Sequence, residues 1–112
     1  MKQILLDTSF ILTAVKNKID FFAYLEEQGF QIIIPEQVIK ELQGLKSQLA
    51  LKILEKNKFK KTSLKSKTTD KGIINFAKQN PKIIVATLDR EIKKSVQNPK
   101  LIIRGKKKLE IF

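Results

Sequence analysis

The sequence predicts a three-layer α/β/α fold built on a central parallel sheet, and three observations carry that expectation. Ile4-Leu5-Leu6 is an apolar run without alternation, as expected for a strand covered on both faces. Ile83-Ile84-Val85-Ala86-Thr87 is a second run of the same kind. Strand-like stretches alternate with stretches of helical period along the chain, the order that builds a parallel sheet with helices on both sides. At 112 residues the chain is too short for two independent cores, so residues 1–112 are expected to form a single domain.

The elements follow in order. The opening strand ends at Asp7. Thr8–Lys16 has Phe10, Ile11, Ala14 and Val15 on one face and reads as a helix, broken at Asn17-Lys18. Ile19–Gln28 is a second amphipathic helix, with Phe21, Phe22 and Leu25 apolar and Gly29 as its stop. Phe30–Ile34 is a strand closed by Pro35, which is suited to open the next helix, Glu36–Leu45, because the first turn needs no N–H there. Val38, Ile39 and Leu42 mark the buried side of that helix. Ser47 can cap a helix over Gln48–Asn57, with Leu49, Ile53 and Leu54 inward.

From Lys56 to Lys71 the composition changes to seven lysines and a single acid, Asp70, with Phe59 and Leu64 the only large apolar residues. A short edge strand within a loop is expected there. Asp70–Gln79 is helical, with Ile73, Ile74 and Ala77 inward, and Asn80-Pro81 ends it. After the strand Ile83–Thr87 come a helix, Arg90–Val96, and two short strands, Leu101–Arg104 and Leu109–Phe112, joined around Gly105. The first two helices carry more apolar residues than one small core is expected to absorb, which suggests a homodimer.

Composition excludes much chemistry. The chain has no cysteine and no histidine, so thiolate sites, zinc sites of the usual kind, catalytic triads and imidazole bases are ruled out. Any metal must be held by oxygen. Asp7 interrupts the N-terminal apolar run before it could serve as a signal peptide, and no apolar stretch approaches the ~20 residues of a membrane span. A soluble, cytoplasmic protein without membrane contact is expected. The net charge of +12, from 23 basic and 11 acidic residues, attracts polyanions, nucleic acid first among them. Lysine enrichment through coding bias or heat adaptation is the plainer alternative.

Against that basic background four acids stand out: Asp7, Glu41, Asp70 and Asp89. Asp7, Asp70 and Asp89 each precede or open a helix, and an isolated Asp in such a place is more often a cap than a ligand. Glu41 sits on the border of an apolar helix face, an unusual place for a solvated glutamate. Two of the acids follow strands whose carboxyl ends share one sheet edge, where α/β folds bind ligands. Like charges gathered there would repel, and a hard cation such as Mg²⁺ or Mn²⁺ would relieve them. A cation so held can activate water against a phosphodiester, with the hydroxyls of Thr8, Ser9 and Thr87 placed to hold water or carboxylate. Other oxygen-rich sites fit less well. Ser9 stands where a haloacid-dehalogenase phosphatase needs its second Asp, Leu6-Asp7 supplies one acid where a receiver domain needs two, and no Gly-rich phosphate loop exists.

Taken together, these stretches resemble the PIN-domain ribonucleases. LLDTSFIL is similar to that family's opening strand and first Asp, IPEQVIKEL to its glutamate helix, TTDKGIINFA to its third acid and VATLDREIKK to its fourth. IIRGKKKLEIF resembles the last strands of the archaeal group related to rRNA-processing factors and VapC-type toxins. The resemblance implies a Mg²⁺- or Mn²⁺-dependent endoribonuclease acting on single-stranded or structured RNA, either as a toxin partnered by an antitoxin or as a processing factor. It puts metal or water roles on Asp7, Glu41, Asp70 and Asp89, with Thr8, Ser9 and Thr87 supporting. The compact interval between Glu41 and Asp70 implies a reduced clamp over the site. A catalytically silent RNA-binding module and a DNA structure-specific nuclease are the alternatives.

Overall fold

The computed structural model describes residues 2–112. Its elements run β1 (Lys2–Leu6), α1 (Thr8–Lys16), α2 (Phe21–Glu27), β2 (Phe30–Pro35), α3 (Glu36–Gly44), α4 (Gln48–Lys56), β3 (Lys60–Thr62), α5 (Thr69–Gln79), β4 (Ile84–Ala86), α6 (Arg90–Ser95), β5 (Lys100–Arg104) and β6 (Lys108–Ile111). One sheet has the order β3-β2-β1-β4-β5-β6. The chain leaves β1 to build outward on one side through β2 and β3, then returns to pair β4 against the other side of β1. That reversal opens a crevice beyond the carboxyl ends of β1 and β4, the place where such sheets take ligands.

The uninterrupted apolar run of β1 is explained by its position. Ile4 and Leu6 face one core, shared with Phe10, Phe21, Phe22, Val38, Leu42 and Leu54 of α1–α4. Leu5 faces a second core, formed with Ile33, Ile73, Ala77, Val85 and Ile92 under α5 and α6. Each fully buried side chain of this size contributes about 1.5–3 kcal/mol, so the two faces together fix the register of β1. The rings of Phe10 and Phe21 meet edge-on with centroids 5.7 Å apart, locking α1 to α2.

The expected α/β fold class holds, with one refinement and three corrections. The sheet is mixed, because β6 runs antiparallel to β5 while the other pairings are parallel. Only a tight turn at Gly105 (φ +65°) joins the last two strands, and a parallel return would need a crossover of about a dozen residues or more. The second helix starts at Phe21 rather than Ile19, because Asp20 caps it by accepting from Ala23 N at 3.1 Å. Ser47 precedes α4 but its hydroxyl makes no capping bond. The buried stripe of α4 runs through Ala50 and Leu54, so Leu49 points outward and is 60% exposed, with Ile53 half-buried between them.

The apolar surplus expected of α1 and α2 does not reach the surface. Phe10, Ile11, Ala14, Phe21, Phe22 and Leu25 are all buried within the chain, and the exposed large apolar side chains among the described residues are Leu45, Leu49, Ile111 and Phe112.

Two polar side chains do structural work that the sequence pattern did not mark. Buried Asn98 donates from its amide to the carbonyls of Ala77, Asn80 and Ile83 at 3.1, 2.9 and 3.0 Å, tying the end of α5 to β4. Gln37 on α3 behaves like an added strand for Leu64. Its Nε2 donates to Leu64 O at 2.6 Å and its Oε1 accepts from Leu64 N at 3.2 Å. The lysine-rich segment between β3 and α5 is thereby fastened to α3.

Candidate active site

Asp7 ends β1, and its N–H continues the ladder to Ala86 O of β4 at 3.0 Å. Its extended backbone (φ −96°, ψ 161°) turns the chain into α1 and leaves its carboxylate just inside the surface, 5% exposed. One oxygen, Oδ1, accepts from Thr8 N at 2.7 Å, a helix cap. The other, Oδ2, accepts from Thr87 Oγ1 at 2.7 Å and Ser9 Oγ at 3.0 Å. Both hydroxyls are in turn acceptors, Ser9 Oγ from Leu88 N and Thr87 Oγ1 from Asp89 N, each at 3.0 Å. Each hydroxyl thus accepts one backbone N–H and donates its single proton to Asp7. Asp7 is therefore both a cap and the end of a short relay of hydroxyls anchored in the backbone after β4.

The other acids approach from three helices. Asp89 caps α6, its Oδ1 accepting from Glu91 N at 2.8 Å and Ile92 N at 3.2 Å. Glu41, exposed on α3, accepts a hydrogen bond from the Thr8 hydroxyl through Oε1. Asp70 lies in the first turn of α5 but does not cap it. That task falls to Thr68, whose hydroxyl accepts from Lys71 N at 3.3 Å. The plain explanation that served for Asp70 in the sequence is thus taken by another residue, and its carboxylate is left for the hollow.

That hollow, about 530 Å³ and open to solvent, is lined by Asp7, Thr8, Ser9, Leu12, Glu41, Gly44, Leu45, Asp70 and Asp89. Six of the seven residues expected at the site line it. Thr87 does not, being fully buried behind Asp7, where it orients that carboxylate. Leu12, Gly44 and Leu45 were not expected; an isolated Leu or Gly at a helix end carries no chemical signal. No lysine or arginine is among the lining residues. A larger hollow of about 680 Å³ at the opposite end of the sheet, lined by Lys2, Gln3, Gln79, Asn80, Pro81, Lys82 and Ile83, holds no acid.

Electrostatics agree with the geometry. Burial pushes the Asp7 carboxyl above its ordinary value; the bonds from Thr87, Thr8 and Ser9 oppose this, and the charge of Glu41 adds to it. The Asp70 carboxyl is also raised, first by desolvation and then by the charges of Asp89, Asp7 and Glu41. Asp70 is exposed at its surface, so water screens these effects and their energy is modest. The four acids feel one another without meeting at a point. Among the described residues no three acids gather closely enough to hold an ion between them, which corrects the expectation of tight convergence. Capping explains the spacing, since Asp7 and Asp89 each commit an oxygen to a helix N-terminus. A lining whose polar side chains are four carboxylates and two hydroxyls, without a competing cation, nonetheless fits a hard divalent cation, which retains several waters and needs few direct carboxylates.

Comparison with known proteins gives the family. Over its whole length the chain is 32% identical to Ribonuclease VapC4 of Methanocaldococcus jannaschii, covering 98% of that protein. It superposes on the structure of the PIN domain endonuclease Utp24 with a TM-score of 0.84 and 25% identity, over 97% of this chain and 90% of the other. Residues 4–106 match the PIN like domain, and with the acid-lined hollow at the switch of its sheet the chain belongs to that family.

Proposed function

We propose that this chain is a metal-dependent endoribonuclease that hydrolyses phosphodiester bonds of single-stranded or structured RNA, with Mg²⁺ or Mn²⁺ as cofactor. The observation that carries the reading is one hollow lined by Asp7, Glu41, Asp70 and Asp89, free of basic side chains, in a protein of net charge +12. Asp7, Asp70 and Asp89 are the main cation-holding carboxylates, and Glu41 is a further ligand or the base that positions water. When bound, the cation supplies charge neutralisation at the phosphate and a water of lowered pKa. The chain's own residues do the rest. Thr87 and Ser9 hold Asp7 Oδ2 in one orientation, Thr8 holds Glu41, and the lysines of the surrounding surface retain the strand.

The names of the two relatives, Ribonuclease VapC4 and the PIN domain endonuclease Utp24, support nuclease chemistry. Two physiological settings fit it, both cytoplasmic: a toxin with an antitoxin partner, or an RNA-processing factor. Growth arrest on expression, relieved by a small protein encoded beside it, marks the toxin; its absence favours processing. No helix among the described residues is long and apolar enough to cross a membrane. Self-association would use what remains exposed, Leu45 and Leu49 or Ile111 and Phe112, and a monomer in sedimentation at low micromolar concentration removes it.

A second reading, a catalytically silent RNA-binding module, draws on the capping roles of Asp7 and Asp89. Asp7→Asn separates the two. On matched RNA and DNA oligonucleotides with Mn²⁺, the nuclease reading requires RNA cleavage by the native protein and its loss by at least about a hundredfold in the variant, with RNA binding kept. No cleavage by native protein leaves only the binding module.

A further inference from the structure

A second hollow of about 440 Å³ lies between the 63–65 segment and α5, with Ser63, Lys65, Asn75, Phe76 and Lys78 among its lining, and it shares no lining residue with the acidic one. Its chemistry is the reverse of the acidic hollow's: no acid, two lysines, an aromatic ring and side-chain amides. Lys65, Asn75 and Lys78 are exposed, while Phe76 is half-buried, with one side packed on the second core. The only ion pair among the described residues joins Arg104 to Glu110, so neither lysine is neutralised by a carboxylate.

The walls are fixed. Gln37 pins both backbone groups of Leu64, and Leu64 lies so close to α5 that a Cβ added at Gly72 would stand 2.7 Å from Leu64 Cβ. The hollow is therefore preformed, which lowers the ordering cost of any ligand. Asp70 and Phe76 share α5, and at 1.5 Å per residue the ring lies about 9 Å along the helix from the acid.

We propose that this second hollow is a nucleotide subsite for single-stranded RNA, holding a part of the strand farther along α5 from the bond cut at the acidic site. Lys65 and Lys78 pair with phosphates, the exposed side of Phe76 stacks on one base, and Asn75 hydrogen-bonds to its edge. The reading rests on the nuclease assignment for what happens in the acidic hollow, but the binding itself does not depend on cleavage. The ligand chemistry follows from charge complementarity and the aromatic face together; the lysines alone would describe any polyanion.

The test uses the full chain carrying Asp7→Asn, bound to a single-stranded oligoribonucleotide over a range of salt. Adding Lys65→Ala with Lys78→Ala should weaken binding about tenfold at low salt and lower the log–log salt slope by about 1.4, from ~0.7 per phosphate contact. Lys106→Ala with Lys107→Ala, at the hairpin turn, removes the same charge elsewhere and should change affinity far less. Phe76→Leu keeps the apolar packing and should weaken an intact strand about fivefold or more. That loss should vanish against a strand abasic at the one position where base removal harms the parent. In the catalytically intact background the Lys65/Lys78 pair should raise KM and leave kcat unchanged. Equal weakening by the two lysine pairs, or indifference to Phe76→Leu, overturns the subsite even where RNA cleavage is observed. Absence of RNA binding overturns it too, whereas RNA bound but never cleaved defeats the nuclease reading alone.

Discussion

Thr87 Oγ1 and Asp7 Oδ2, eighty positions apart in the chain, are joined by a 2.7 Å hydrogen bond that nothing exposed can reach. It links the ends of β1 and β4 at the point where the sheet reverses its build, and it presents the Asp7 carboxylate to the hollow. Thr87→Val should remove the donor to Asp7 and orphan the Asp89 N–H, costing about 1–3 kcal/mol of stability. Cleavage should fall with it, and Thr87→Ser should restore most of both. Chemical denaturation and single-turnover rates on the three proteins decide it; a Val variant as active as the parent removes Thr87 from the site.

The pH dependence has a definite sign. Asp7 and Asp70 carry carboxyls raised above the ordinary 3.8, so above that value the folded chain binds more protons than the unfolded one. Stability contributed by these groups is therefore lost as pH rises from 3.8 through their raised values, and the penalty is complete above them. In a chelating buffer, Asp70→Asn should gain thermal stability over the parent across that window and hold the gain at neutral pH. The gain will be small, because Asp70 is exposed. A difference that shrinks with rising pH contradicts the repulsion described.

A divalent cation should act in the opposite direction. Binding to the folded state alone stabilises by about 2.7 kcal/mol at a hundred times Kd, so titrating Mg²⁺ or Mn²⁺ should raise the melting temperature of the native chain. Asp70→Asn and Asp89→Asn should each blunt the response. Equal responses in all three proteins would mean that the ion binds elsewhere.

Gly72 is needed for closeness rather than for backbone freedom. Gly72→Ala would set its Cβ 2.7 Å from Leu64 Cβ, forcing the pinned 63–65 segment away from α5. A loss of about 1–3 kcal/mol is expected, with the acids of α3 and α5 shifted apart. Denaturant midpoints measure the first, and reduced cation affinity the second; a neutral substitution would show that Leu64 yields freely.

Much of this was readable in the chain because local signals and tertiary demands coincide. Runs such as Ile4–Leu6 have no alternation since both faces of β1 are covered, and Gly29 ends its helix region at φ +80°, where other residues are strained. Asp7 and Asp89 were legible through their placement after strands, Glu41 through its place on the border of an apolar helix face and Asp70 through its place at a helix start. What was not legible depends on partners far away. Nothing local distinguishes Thr68 from Asp70 as the cap of α5, and nothing local reports that Leu49 lies off the buried stripe. Gln37 and Asn98 look like ordinary surface amides until their carbonyl partners are seen. The spacing of the carboxylates is likewise a property of the assembled helix ends, not of the motifs.

The outer border formed by β3 has one more effect. It offers only three residues, two of them Lys60 and Lys61, as one of the two free margins of an otherwise Ile-rich sheet, β6 being the other. A second copy approaching that margin would have to bring like charge against like charge, which discourages strand-by-strand stacking into fibrils. The same protection fails once polyanions coat the lysines, so concentrated stocks should remain clear when purified free of nucleic acid and turn cloudy when it is left in.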